Sequence, residues 1–214
     1  MCFSAQASFA ASAGLFFIGW LVNRNVRRPE QRMLASMPLF FAIQQAAEGV
    51  VWLTVDRPDI WVYHAAVDVF LFFAYILWPA YIARALLSLE SVAWRAHVLH
   101  GLSWLGNVIS AVLLFHVAYY GVAAQAISCH IVYQFQQVSF FDTILGSWRE
   151  VGTMLYAVAV LVPFFVSSLP YLWVMGLLIF AAMAISYVWY YMAFVSVWCF
   201  FAALISALLY VLLK

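Results

Sequence analysis

The chain has 214 residues, of which 69% are apolar and 8% are charged, and its mean hydropathy is +1.03. Soluble domains are about 45–50% apolar and about 25% charged, so this composition excludes a water-soluble protein and predicts that lipid surrounds the chain. The formal net charge of +1 excludes a nucleic-acid-binding function, because nine Lys and Arg residues are too few to follow a phosphate backbone.

Seven apolar segments are long enough to cross a bilayer as helices. A membrane-spanning helix needs about 20 mainly apolar residues and satisfies its backbone hydrogen bonds internally. The predicted spans are Ala5–Val22, Met33–Thr54, Ile60–Leu86, Gly101–Ala123, Val151–Ser168, Tyr171–Tyr190 and Met192–Leu213. The sequence therefore predicts an all-α membrane protein, a single seven-helix bundle over residues 1–214, with the lipid bilayer as its partner.

Basic residues are distributed unequally between the two predicted sides of the bundle. The richer side carries Arg24, Arg27, Arg28, Arg32, Arg84, Arg95 and Lys214, and the other side carries Arg57 and Arg149. Because cytoplasmic loops are enriched in Lys and Arg, we expect the N-terminus outside and the C-terminus in the cytoplasm. The expected location is a bacterial inner membrane, crossed several times.

The longest connection, Ala124 to Glu150, is predicted to form a cap loop on the outer side. Ile131, Tyr133 and Phe135 alternate with His130, Val132 and Gln134, which suggests a short extended segment. Long connections serve either as functional lids or as plain surface loops, and both interpretations stay open here.

A proline lies inside the third predicted span, at Trp78–Pro79. Proline removes one backbone donor and clashes with the preceding turn. The sequence therefore predicts a bend in this helix.

Two acidic residues, Glu48 and Asp68, lie inside predicted spans that hold no Lys or Arg to pair with them. At 1.5 Å per residue they lie roughly 9 Å and roughly 12 Å from the outer ends of their helices. Carboxylates are costly in hydrocarbon, so both are expected to face one inward polar pocket. The residues predicted to line this ligand pocket are Cys2, Gln44, Gln45, Glu48, Trp52, Asp68, His130, Trp198 and Cys199.

The kind of ligand stays open at this point. A metal ion would be held by Glu48, His64, Asp68 and His116, since imidazole and carboxylate together suit zinc, iron or manganese. Without a metal, the same residues form a polar pocket for a small molecule or a lipid, or separate contacts between helices. Haem is not expected without a supporting motif, and retinal is not expected because the sole lysine, Lys214, lies outside every span.

The three cysteines have different predicted environments. Cys2 and Cys129 both fall on the predicted outer side, where an oxidising compartment allows a disulfide between them, although free thiols stay an alternative. Cys199 lies deeper and is interpreted as a small packed thiol rather than a nucleophile.

Four stretches of the chain resemble an uncharacterised family of bacterial seven-helix membrane proteins. They are Met1–Ala5, Gln44–Trp52, Trp78–Pro79 and Ser196–Ala203. The resemblance runs nearly end to end and implies the topology, but it implies no reaction. The positions that match the family pattern are Cys2, Gln45, Glu48, Trp52, Pro79, Trp198 and Cys199, which look like a shared feature of the outer leaflet; His64 lies outside that pattern.

Three classes of function follow from these features. The first is an integral membrane protein that binds a small ligand or metal ion in an outward-facing polar pocket. The second is a metal-dependent hydrolase of lipid-like substrates, in which Glu48 or Asp68 acts as the general base. The third is a structural or assembly partner. Neither enzymatic activity nor the oligomeric state follows from the sequence.

Overall fold

The computed structural model describes residues 3–137 and 148–213 of the chain. Within these ranges, six helices are long and apolar enough to cross a membrane, and a shorter apolar helix covers Glu150–Val166. We number the helices α1 Ala5–Arg24, α2 Gln31–Thr54, α3 Trp61–Leu87, α4 Ala93–Tyr120, α5 Trp148–Val166, α6 Leu172–Trp189 and α7 Tyr191–Leu212. The structure agrees with the prediction of a mostly helical protein with several membrane-length helices.

A β-hairpin follows α4 and departs from the all-α prediction. Strands β1 Val122–Ile127 and β2 His130–Phe135 pair in antiparallel register. The two turn residues, Ser128 and Cys129, have φ of 47° and 68°, as a two-residue type I′ turn requires. The extended segment predicted at His130–Phe135 is therefore confirmed, but its partner strand was not predicted.

The fourth helix differs from its predicted bounds at both ends. It begins at Ala93 rather than Gly101, and it ends at Tyr120 rather than Ala123. Gly121 ends it with φ of 64°, a backbone conformation that favours glycine, and the chain then enters β1. Of the predicted cap loop, residues 138–147 lie outside the described residues.

The third helix is irregular next to its proline. It consists of α-helical Trp61–Leu71, π-helical Phe72–Leu77 and α-helical Trp78–Leu87. A π-helical segment therefore ends two residues before Pro79, the position at which the sequence predicts a bend. Neighbouring helices satisfy carbonyl groups of that segment: the Tyr156 hydroxyl donates to Ala74 O, and Ser110 Oγ donates to Ile76 O at 2.7 Å. Side chains of this kind make broken backbone acceptable inside a membrane.

The hairpin lies over one end of the bundle, which we call the hairpin end. Strand β1 contacts α3, and β2 contacts α7. The Tyr63 hydroxyl of α3 donates to Ala124 O at 2.9 Å and accepts from Ala124 N at 2.7 Å. The backbone N–H of Phe3 donates to Cys129 O at 3.1 Å, which attaches the start of the chain to the hairpin turn. Helix α2 contacts α1, α3 and α7 and passes beneath the hairpin, which we call the roof.

Candidate functional site

Glu48 is the centre of a buried polar cluster beneath the hairpin. It lies on α2, with 1% of its surface exposed. Ser196 Oγ of α7 donates to Glu48 Oε1 at 2.5 Å, and Gln45 Nε2 donates to Glu48 Oε2 at 3.4 Å. Gln45 lies three residues before Glu48, so both project from one face of α2, as the sequence predicts. The carboxyl group therefore joins α2 to α7 inside the bundle.

Gln44 extends the cluster towards α3. Its side chain is fully buried, and its Oε1 accepts a hydrogen bond from Trp78 Nε1 at 2.8 Å. The thiol of Cys199, which is free and buried, lies beside Gln44 and near Glu48. This buried position agrees with the interpretation of Cys199 as a small packed thiol.

Several polar atoms of the cluster lack partners among the described residues. They are Gln44 Nε2, Gln45 Oε1, Trp52 Nε1, Tyr133 OH and Trp198 Nε1. Buried polar atoms are nearly always hydrogen-bonded in native proteins, and each exception calls for an explanation such as an additional molecule. Four of the five are donors, so the cluster offers mainly N–H and O–H groups.

Tyr133 brings the hairpin into the cluster. Its ring stacks on Phe70 of α3, with ring centroids 4.6 Å apart and planes at 6°. Burial, followed by the nearby Glu48 carboxyl, raises the pKa of Tyr133 well above its ordinary value of 10.0. The phenol therefore stays protonated at any physiological pH and remains a hydrogen-bond donor.

The aromatic members of the predicted pocket occupy its edges. Trp52, one turn beyond Glu48 on α2, packs against the cluster that contains Phe3 and Val132. Trp198 lies 7% exposed on α7, with its ring 5.7 Å from that of Tyr156.

His130 lies on the hairpin rather than in the centre of the cluster. Its ring lies 5.4 Å from that of Phe3 and 4.9 Å from that of Tyr190, and its Nδ1 is 2.7 Å from Ser128 O. The ring thus packs within the roof, and its Nε2 has no hydrogen-bond partner in the described ranges.

The cysteines at the hairpin end are only partly described. Cys129 is disulfide-bonded. Cys2, the partner that the sequence predicts, lies outside the described residues.

The predicted convergence of Asp68 with Glu48 is wrong. Asp68 and His64 are both exposed, on the side of α3 that faces away from the bundle, whereas Glu48 is buried. The opposite face of α3, which includes Tyr63 and Phe70, packs inward. Similar depth along two helices did not imply a common chamber, because the two carboxyls point in different directions.

The four predicted metal ligands do not form one site. His116 is buried on α4, where its Nδ1 lies 2.8 Å from Val112 O and its ring packs near Phe135. Within residues 3–137 and 148–213, no group of three or more His, Cys, Asp or Glu side chains is placed to hold a metal ion. The metal hypothesis based on Glu48, His64, Asp68 and His116 therefore has no supporting geometry, and neither has the hydrolase that depends on it.

Two members of the cluster, Ser196 and Tyr133, were not predicted from the sequence. Ser196 lies three residues before Cys199, so helical spacing places both on one face of α7, a signal that was available. Tyr133 was visible only as part of an alternating segment, and its position over Glu48 depends on how the hairpin folds back.

The chain matches, over residues 1–214, a family described as a family of unknown function (DUF6629). No curated protein and no solved structure matches the chain.

Proposed function

Since the chain belongs to a family of unknown function, we propose from its geometry that it is a membrane receptor or carrier that binds a small uncharged polar molecule around Glu48. The observation that supports this proposal is the set of buried, unpartnered polar atoms in the cluster around Glu48, among which Gln45 and Tyr133 lie nearest to its carboxyl. Leaving a buried donor without a partner costs about 1–3 kcal/mol, so a molecule that satisfies several of them gains substantially on binding.

The donor-rich character of the cluster defines the class of ligand. Gln44, Trp52 and Tyr133 offer N–H or O–H groups, and Gln45 offers a carbonyl oxygen. An anion would meet the Glu48 carboxyl in a low-dielectric site with no Lys or Arg among the described residues of the cluster. A metal cation would meet the Glu48 carboxyl and the Gln45 carbonyl oxygen, but no group of three or more His, Cys, Asp or Glu side chains in the described ranges is placed to hold it. The best match is a neutral molecule with carbonyl or hydroxyl oxygens.

Access to the cluster requires movement of the hairpin. Glu48, Gln44 and Gln45 are each at most 1% exposed, with the hairpin above them. From the unequal distribution of basic residues, we place the hairpin end outside the cytoplasm, in a bacterial inner membrane. The ligand then enters from the outer side when the hairpin lifts.

Native mass spectrometry of the detergent-purified protein tests this proposal. We expect a small non-covalent adduct on the wild-type chain that dissociates on collisional activation. The double variant Trp52→Phe with Tyr133→Phe removes two unpartnered donors and keeps a six-membered aromatic ring at each position. It should lose the adduct, while thermal unfolding should show that the variant still folds. This design separates binding from folding, because deleting an unpaired buried polar atom removes no hydrogen bond within the protein.

The matched control is the double variant Tyr119→Phe with Trp189→Phe, which makes the same chemical changes at side chains that are 66% and 70% exposed. It should keep the adduct. Absence of any adduct from the wild type would show that the cluster binds no such molecule, and equal occupancy in all three proteins would show that the adduct binds elsewhere. Either result would overturn the proposal.

A further inference from the structure

The outer face of α3 carries a polar stripe where lipid is expected. His64 and Asp68 lie four residues apart, so both project from one side of the helix, and both are exposed. Trp61, Val69 and Phe72 surround them, with exposed fractions of 78%, 40% and 46%. The stripe thus consists of one imidazole and one carboxyl within an otherwise apolar surface.

The depth of Asp68 makes this exposure costly. Trp61 begins the helix and is the kind of residue that anchors a helix at the membrane surface. Asp68 then lies roughly 10 Å along the helix axis, beyond the surface layer. It has no hydrogen bond or ion pair within the described part of the chain. Acidic side chains inside a membrane almost always have a polar partner, and no side chain in the described ranges bonds to Asp68, so a partner from outside the chain would stabilise it.

The surface next to the stripe is shaped for close helix contact. A groove of about 340 Å³ lies between α1, α2 and α3. Four alanines line it, Ala46 and Ala47 from α2 and Ala65 and Ala66 from α3. Small residues let helix backbones approach each other in a membrane, and polar side chains then hydrogen-bond across the contact.

We propose that this face is a self-association surface, on which a second copy of the chain packs its α3 against the first. A dimer with a two-fold axis along the membrane normal uses the same patch on both copies, so the patch has to be self-complementary. The stripe meets this requirement, because the imidazole of His64 on each copy can donate to the Asp68 carboxyl of the other. The two pairs are equivalent by symmetry, and both acids gain a partner.

Cysteine cross-linking in native membranes tests the contact. Ala65→Cys places a thiol on the exposed surface of α3, beside the stripe and at the edge of the groove, and mild oxidation should give a covalent dimer on a denaturing gel. The matched control is Val108→Cys, at a 58% exposed position on α4, which should stay monomeric. Adding Asp68→Leu to Ala65→Cys should weaken dimerisation roughly tenfold, because both symmetric hydrogen bonds are lost.

A charge exchange identifies the occupant of the surface. In the Ala65→Cys background, His64→Asp alone gives two acids per stripe and Asp68→His alone gives two imidazoles, and each should cross-link poorly with itself. Co-expression of these two chains should restore the dimer as a mixed pair, and the double variant His64→Asp with Asp68→His should restore it within one chain. Equal cross-linking at Val108→Cys, no effect of these exchanges, or cross-linking only to a different protein would each overturn the proposal.

Discussion

Glu48 and Asp68 lie in neighbouring helices at a similar distance from the hairpin end, yet their surroundings are opposite. Glu48 is 1% exposed and accepts hydrogen bonds from Ser196 and Gln45. Asp68 is exposed on the outer side of α3. Depth in the membrane determines how costly an acid is, but the direction in which the helix presents it determines what the acid can do. Glu48 serves the interior of one chain, and Asp68 is available to another.

The largest expected effect separates the two acids directly. Glu48→Ala removes the acceptor for Ser196 and Gln45 and leaves a cavity, so it should reduce the free energy of unfolding by roughly 2–4 kcal/mol. Asp68→Ala should change it by less than about 0.5 kcal/mol, because the side chain has no partner within the chain. Thermal unfolding of detergent-solubilised monomers measures both values. Similar losses in the two variants would contradict the comparison.

The next effect distinguishes the two faces of α3. Tyr63 lies on the inner face and makes two hydrogen bonds with Ala124, so Tyr63→Phe should cost roughly 2 kcal/mol and loosen the hairpin. A looser roof should expose the Cys199 thiol, which N-ethylmaleimide labelling followed by intact mass detects. Faster labelling is expected in Tyr63→Phe and unchanged labelling in Asp68→Ala, while Cys199→Ser confirms the labelled residue. Equal rates in both variants would show that Tyr63 does not hold the roof.

A smaller effect isolates one hydrogen bond of Glu48. Ser196→Ala removes the donor on α7 and should lower the free energy of unfolding by about 1 kcal/mol. The control is Ser206→Ala on the same helix, because Ser206 is also buried but donates to Ala203 O one turn away. The control should cost less, since it does not join two helices. A larger loss in Ser206→Ala would argue against Glu48 as a link between α2 and α7.

The sequence predicted the Glu48 side of this comparison better than the Asp68 side. Helical spacing placed Gln44 and Gln45 on the face of α2 that carries Glu48, and the structure agrees. For α3, the apolar residues surround the helix almost completely, so periodicity does not reveal which face packs inward. The inference that an acid in a membrane must face a pocket then selected the wrong direction for Asp68.

The hairpin shows a second limit of the sequence. Strand β2 was predicted from its alternation, but β1 contains Ala123, Ala124 and Ala126, which have low strand propensity. The turn is Ser128–Cys129 instead of the usual Asn-Gly, so the strongest hairpin signal is absent. Tertiary contacts stabilise this turn, which the local sequence does not predict. One of them is the hydrogen bond that the Phe3 N–H donates to Cys129 O.

The smallest expected effect concerns an acid outside the membrane-spanning helices. Glu90 lies in the connection between α3 and α4 and accepts hydrogen bonds from the N–H groups of Val92 and Ser168, at 3.0 Å and 2.7 Å. Desolvation alone would raise its pKa, but these two bonds, with Arg95 nearby, together lower it from the ordinary value of 4.5. A lowered pKa stabilises the folded chain above the unfolded value, and this contribution disappears as pH falls through the folded value.

Glu90→Gln should therefore lower the free energy of unfolding relative to the wild type at pH 6, and the two proteins should have similar values at low pH. The difference should be under about 1 kcal/mol, because the side chain is partly exposed and solvent screens it. Unfolding of wild type and variant from pH 6 down to about pH 3 measures the difference, which should shrink only below the ordinary value of 4.5. A difference that stays constant across this range would mean that the negative charge of Glu90 does not contribute to stability. Backbone N–H groups stabilise the acid Glu90 in a connection outside the helices. Inside the bundle, Glu48 depends instead on a serine and an amide, and on the outer side of α3, Asp68 depends on the proposed second copy.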